Sequence, residues 1–184
     1  RNIWQYNNDC VSYDEKLLYK PKIGKCNFSN PEFSTKLSFD KFSRNHDLNK
    51  NDDFKEDYIL VLGDSIAMGW GVNNNETFSY LMEKSLGKKV FNLGVSSYGT
   101  VREITRMILS PYYKNSKVII IQYHPNDLNE NSKLNFEKTY SENEFKKIFN
   151  TKNHNLNTIS FILRNLKSSL RLFFSDLKKL IFIE

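Results

Sequence analysis

The chain is poor in the features that mark whole classes of protein. Among its 184 residues it has 2 cysteines, 4 prolines and 3 histidines. No stretch is long and apolar enough to form a membrane-spanning helix, and mean hydropathy is −0.58. The first residue is Arg1 and no signal-peptide pattern opens the chain, which predicts a processed product or a fragment. Neither G-x-G-x-x-G nor G-x-x-x-x-G-K-[ST] follows any apolar run, which disfavours a nucleotide-binding domain of flavodoxin or Rossmann type. No internal repeat or low-complexity tract is present beyond a general richness in Asn and Lys. Neither Cys10 nor Cys26 has a second Cys or a His at metal-ligand spacing, so the pair forms no metal motif. Two readings of the cysteines stay open: two free thiols, or one disulfide closing a short loop in an oxidising compartment.

Charge of one sign is scarce as well. Net charge is +6, from 27 basic and 21 acidic residues, and the excess is concentrated in residues 151–184, with 6 basic and 2 acidic. A nucleic-acid-binding protein carries a broader basic field, so no nucleic-acid partner is expected. Apolar material is sufficient, at 39% hydrophobic and 14% aromatic residues, for one domain with a buried core.

Residues 1–57 lack clean periodicity and read as an irregular extension that packs its aromatics (Phe28, Phe33, Phe39, Phe42) on the remainder, residues 58–184. Regular structure is predicted from Tyr58. Three β-branched runs, 58–62, 89–93 and 117–123, read as strands buried on both faces, as in a parallel sheet. Helices are predicted between them: one over 77–86, with Asn75 as cap and Gly87 as stop, and one opened by a Thr100–Glu103 capping box, with Ile104, Met107 and Ile108 on its apolar face. A second capping box, Ser141–Glu144, opens a short helix. A long helix over about 158–182 then carries Arg164, Lys167, Arg171 and Lys178 on one face. That face reads as the solvated side of a core helix, with peripheral contact to an anionic membrane surface as the alternative. Strand, helix, strand, helix, strand calls for an α/β fold, a doubly wound flavodoxin-like parallel sheet with flanking helices.

In such sheets ligands bind beyond the carboxyl ends of the strands. Gly63-Asp64-Ser65 follows the first run, Gly94 the second and His124-Pro125-Asn126-Asp127 the third. A hydroxyl, a backbone N–H free of side-chain cover and a carboxamide would meet at one edge. These are the parts of an acyl-transfer site: Ser65 as nucleophile, with the Ser65 N–H, the Gly94 N–H and the Asn126 amide sheltering an oxyanion. A glycine at 94 would keep side-chain bulk away from the substrate carbonyl. Asp64 and Asp127 would fix the loops that aim Ser65 and Asn126, and His124 would line the site. His46 and His154, in polar stretches, read as surface residues.

Three segments, Tyr58–Val72 (YILVLGDSIAMGWGV), Val90–Thr100 (VFNLGVSSYGT) and Ile119–Asp127 (IIIQYHPND), resemble the first three blocks of the SGNH hydrolases, also called GDSL esterases or lipases. The resemblance covers about residues 58–130. It implies the SGNH fold, Ser65 as nucleophile and as one oxyanion donor, Gly94 and Asn126 as the other two donors, and no metal or organic cofactor. More loosely, residues 19–48 and the G-W-G-V segment look like bacterial cell-envelope members, which implies an extracytoplasmic location.

Two departures stand out. His124 occupies the place of a family glycine, and the D-x-x-H block that supplies base and orienting acid is not found. The expectation is therefore a domain incomplete at its C-terminus, with the catalytic His and Asp beyond Glu184. The function implied is a serine esterase or acyltransferase acting on a small-molecule or glycan ester, such as an O-acetyl group. The competing reading is a non-catalytic module that holds an acylated glycan or peptide without turnover.

Overall fold

A computed structural model describes residues 4–44, 58–132 and 139–148. The chain divides into two compact units, Arg1–Phe145 and Lys146–Glu184. Of the second, only residues 146–148 are described, so the long helix expected over 158–182 lies outside the described residues, as do His46 and His154.

The first unit is a mixed α/β structure. Its first strands are β1 (Val11–Asp14) and β2 (Leu18–Pro21), an antiparallel pair, and β3 (Gly24–Ser29) and β4 (Ser34–Phe39), a second antiparallel pair. They are followed by β5 (Tyr58–Gly63), α1 (Ser65–Met68), α2 (Phe78–Leu86), β6 (Val90–Asn92), α3 (Thr100–Leu109), β7 (Ser116–Gln122), α4 (Asn126–Asn131) and α5 (Glu142–Ile148). Strands β6, β5 and β7 form a three-stranded parallel sheet in that order, with β5 at the centre.

The three apolar runs thus become strands where the sequence places them. Every residue of β5 is buried. On one face Tyr58, Leu60 and Leu62 join Phe91, Leu93 and Met107 of α3. On the other, Ile59 and Val61 join Val90 and Ala67, with Met82 of α2 against them. This two-sided burial explains why the run shows no alternation. β7 departs from the expectation of a fully buried strand: Val118, Ile119 and Ile121 are 48, 40 and 49% exposed, because β7 is flanked by β5 alone in the described sheet.

The helices exist as predicted, but their buried faces differ from those the apolar spacing suggests. In α2, Phe78, Leu81 and Leu86 are exposed while Ser79 and Glu83 are buried, and the N-cap is Thr77 rather than Asn75, with its side chain accepting from Tyr80 N. The Glu83 carboxylate accepts from Val90 N at 2.9 Å and pairs with Lys89 at 3.2 Å, so a charged side chain satisfies the start of β6. In α3 the N-cap is Gly99, and the Thr100–Glu103 capping box does not form. Arg102, Glu103 and Arg106 are buried while Ile108 is exposed, because the N-terminal part of the chain covers that side with carbonyl oxygens and rings. The Ser141–Glu144 box does form: Glu144 N donates to Ser141 Oγ, and Ser141 N donates to the Glu144 carboxylate.

Residues 4–44 are more regular than their pattern suggests, with four strands. Arg44 N donates to Asn92 O at 2.7 Å, and bridges from Phe39 through Arg44 to Asn92 continue the β3–β4 hairpin toward β6. The aromatics pack on a later segment: Trp4 meets Phe28, Phe39 and Trp70, and Phe28 and Phe33 lie 4.8 and 5.3 Å from Trp70. Each such ring pair adds about 0.5–1.5 kcal/mol beyond its burial. Cys10 and Cys26 form a disulfide with Cα atoms 5.3 Å apart, joining the residue before β1 to β3.

Closing a loop of 16 residues' separation stabilises by about 3 kcal/mol in the chain-entropy account. The Cys10→Ser/Cys26→Ser double variant should therefore unfold at a denaturant midpoint well below that of the parent. An unchanged midpoint would refute a stabilising role for the bridge.

Candidate functional site

Because β5 pairs in parallel with both β6 and β7, the carboxyl ends of all three strands open on one edge. Gly63 ends β5 with φ +146°, and a Cβ there would lie 2.6 Å from Ala67 Cβ and 2.9 Å from Gln122 O, so the turn into α1 tolerates only glycine. Asp64 follows as the N-cap of α1: it is buried, and its Oδ1 accepts from Ile66 N at 2.9 Å. Ser65 is the first residue of α1, where the backbone N–H has no partner within the helix. Its side chain is partly exposed, and among the described residues its hydroxyl makes no hydrogen bond.

The second loop is organised by Asn92, the last residue of β6. Its Nδ2 donates to Ala67 O and Ser79 Oγ, both at 2.8 Å, and its Oδ1 accepts from Gly94 N at 3.0 Å. The Gly94 N–H expected to face the site free of side-chain cover is thus engaged by Asn92. The glycine has a different physical reason from the one the sequence suggests. A Cβ at 94 would lie 2.5 Å from Met68 N and 2.8 Å from Ala67 C, so its absence lets the loop lie against the backbone of α1.

In the third loop Asn126 opens α4 and is exposed. Its Oδ1 meets His124 Nδ1, and among the described residues its Nδ2 has no partner. Asp127 is fully buried. Its Oδ2 accepts from His124 N at 3.2 Å and from Thr100 Oγ1 at 3.3 Å, tying the loop to α3. The His124 ring is thus engaged by Asn126, and among the described residues it makes no hydrogen bond to Ser65.

Behind these loops sits a group that sequence reasoning missed. Glu103 is 1% exposed, and neither of its carboxyl oxygens has a partner among the described residues; Asp127 Oδ1 also lacks one. Burial raises the Glu103 pKa to about 8, with the charges of Asp127 and Asp64 adding to the shift and Arg102 opposing it. Both loop-holding aspartates therefore face a carboxyl that stays protonated at neutral pH. The sequence signal was misleading, since a glutamate three residues after a threonine reads as a capping partner.

The edge thus carries Ser65 after β5 and Asn126 and His124 after the adjacent β7, with Asp64 and Asp127 holding those two loops, while Gly94 turns its N–H inward. Asn92 and Glu103 complete the arrangement. Among the described residues no group of three or more His, Cys, Asp or Glu is arranged to hold a metal ion, and no helix is long and apolar enough to cross a membrane. Comparison of the chain with protein-family models, with curated proteins and with solved structures finds no match in any of the three.

Gly94→Ala should destabilise the fold by about 1–3 kcal/mol, the usual range for overpacking, because the atoms it meets are backbone and cannot rotate away; chemical denaturation measures it, and a neutral substitution would refute the packing role. Glu103 yields a pH test. Its proton is held in the folded state and lost in the unfolded state between the ordinary carboxyl range and about pH 8, so its contribution to stability falls as pH rises through that window. The thermal midpoint of Glu103→Gln should lack that part of the decline. Equal slopes in parent and variant would exclude Glu103 as the titrating group.

Proposed function

We propose that the chain carries the nucleophile and oxyanion-binding groups of a serine esterase or acyltransferase of the SGNH (GDSL) type, built on a doubly wound α/β sheet. The observation that carries this reading is Ser65. A serine whose partly exposed hydroxyl has no partner among the described residues stands at the head of α1, at the carboxyl end of the central strand. The Asn126 Nδ2, without a partner among the described residues, stands on the same sheet edge, beyond the end of the neighbouring strand.

In this reading Ser65 Oγ attacks an ester carbonyl. Its proton passes to an imidazole, and the carbonyl oxygen takes up the charge against Ser65 N–H and Asn126 Nδ2. Collapse expels the alcohol, which takes the proton back, and leaves an acyl group on Ser65. Water or a sugar hydroxyl then removes that group by the same steps in reverse. Gly94 serves by letting its loop close on α1 and is not a third donor, since its N–H is held by Asn92. Asp64 and Asp127 position and do not transfer protons. The substrate is a small-molecule or glycan ester, and an extracytoplasmic setting fits the Cys10–Cys26 disulfide.

A second reading, a module that binds an acylated ligand without turnover, is favoured by one observation: among the described residues no imidazole contacts Ser65 Oγ.

A fluorophosphonate probe, which forms a covalent bond with an activated serine, separates the two. Labelling of the 184-residue chain should be slow, rise with added imidazole, and fall by at least about 10²-fold in Ser65→Ala. Labelling or ester turnover that survives Ser65→Ala would overturn the assignment, and a parent chain that stays unlabelled in imidazole would select the binding module.

A further inference from the structure

We propose that Arg102 is a positioning residue for the candidate site: clasped between two tyrosines, its guanidinium holds Glu130 and thereby α4, the helix that begins at Asn126. The role in catalysis rests on the reading of Asn126 as an oxyanion donor. The role in holding α4 stands on contacts alone.

Arg102 is 3% exposed. Its guanidinium carbon lies 4.8 Å from the ring centre of Tyr19 on β2 and 4.4 Å from that of Tyr98 in the loop after β6. The two rings meet edge to face at 5.3 Å, and both tyrosines are fully buried. Their hydroxyls cross-link the same segments: Tyr19 donates to Ser96 O at 2.8 Å, and Tyr98 donates to Tyr19 O. Cation–π contact of this kind strengthens when water is excluded. The planar fork then has fixed directions in which to donate. It reaches Leu17 O, Ser97 O and the Glu130 carboxylate.

A second observation points to the same group. Among the described residues only Leu18 and Ser97 are non-glycine residues with positive φ, at +68° and +63°. Arg102 accounts for both places: it binds the carbonyl of Ser97 and the carbonyl of Leu17, immediately before Leu18. Such conformations persist where the surroundings over-determine them. Here the surroundings are one buried cation drawing in carbonyl oxygens from two separate turns.

α4 needs an external hold. It has six residues, its N-cap Pro125 makes no side-chain cap bond, and Leu128 is 69% exposed. Its ties to α3 are Thr100 Oγ1 to Asp127, Val101 N to Asn131 Oδ1, and the Arg102–Glu130 ion pair. Only the ion pair also reaches the N-terminal hairpin. The β1–β2 hairpin, distant in sequence from every loop of the candidate site, thus acts on Asn126 through Tyr19, Arg102 and Glu130.

The test combines hydrogen exchange with labelling by the fluorophosphonate in added imidazole, on the full chain and its Glu130→Gln and Arg102→Lys variants. Arg102→Lys keeps the charge and loses the fork. Glu130→Gln is the milder change, since Glu130 is partly exposed. In both, amides of residues 126–131 should exchange about tenfold faster while those of β5 are unchanged. The limiting labelling rate should fall about ten- to a hundredfold with the half-saturating probe concentration unchanged, as misplacement of a donor requires. Unchanged exchange at 126–131 in both variants overturns the proposal. Faster exchange with an unchanged labelling rate also overturns it, because Arg102 is then structural only. If the parent chain is not labelled at all, the reading of Ser65 fails, and the exchange data alone decide whether Arg102 holds α4.

Discussion

A loop that leaves a strand carries carbonyl oxygens with no ladder partner, and burying them costs free energy unless a donor reaches them. In this chain two buried guanidinium groups serve as such donors along the sheet edge. Arg44 donates to the carbonyls of Met68, Gly69 and Val72 and to Asn74 Oδ1, which fixes the turn after α1. Arg102 donates to Leu17 and Ser97 and pairs with Glu130, which fixes the turn after β6 and the helix after β7. A buried cation of this kind cannot be left unpaired, so each loop is held wherever its carbonyls can satisfy the arginine. The edge of the sheet keeps its shape on this condition.

The central strand sets where that edge lies. β5 is buried on both faces and paired on both sides, so the chain leaving it has one direction and little freedom. Two glycines then allow close approach without a side chain in the way: Gly63 beneath Gln122 and Ala67, and Gly94 against the backbone of α1. Asn92 seals the same region by joining β6, α1 and α2 through one carboxamide. The result is a tightly packed floor under Ser65, with the partly exposed His124 and the exposed Asn126 just beyond the end of the neighbouring strand. Electrostatics oppose this packing. Three buried carboxyl groups, Asp64, Glu103 and Asp127, share the space behind the loops. The arrangement is tolerable because one of them, Glu103, keeps its proton to about pH 8.

The N-terminal extension is a structural part of this edge. Trp4, Phe28 and Phe33 cover Trp70 in the turn after α1, and Tyr19 covers Tyr98 and Arg102. The disulfide joins the two hairpins that deliver these rings. A sheet of three parallel strands has little apolar area of its own to bury. The hairpins enlarge the core, and they do so against the loops on which the proposed chemistry depends.

The local sequence by itself determined the elements of the parallel sheet, because continuous β-branched runs ended by glycine or proline have few other uses. It also determined the order of the three loops. What it could not determine was which side of each helix is inside. The apolar spacing of α2 and α3 pointed to Leu81 and Ile108. The interior instead took Glu83, Arg102, Glu103 and Arg106: Glu83 accepts from Val90 N at the start of the next strand, Arg102 and Arg106 donate to carbonyls far away in the chain, and Glu103 is buried with its proton kept. For the same reason the partner of the Gly94 N–H, the roles of Arg44 and Arg102, and the ordering of residues 4–44 were invisible in one dimension. Periodicity reports what a segment would bury against a featureless apolar wall. Only the tertiary structure decides that the wall is made of carbonyl oxygens, aromatic faces and carboxyl groups, and so which polar side chains can turn inward to meet it.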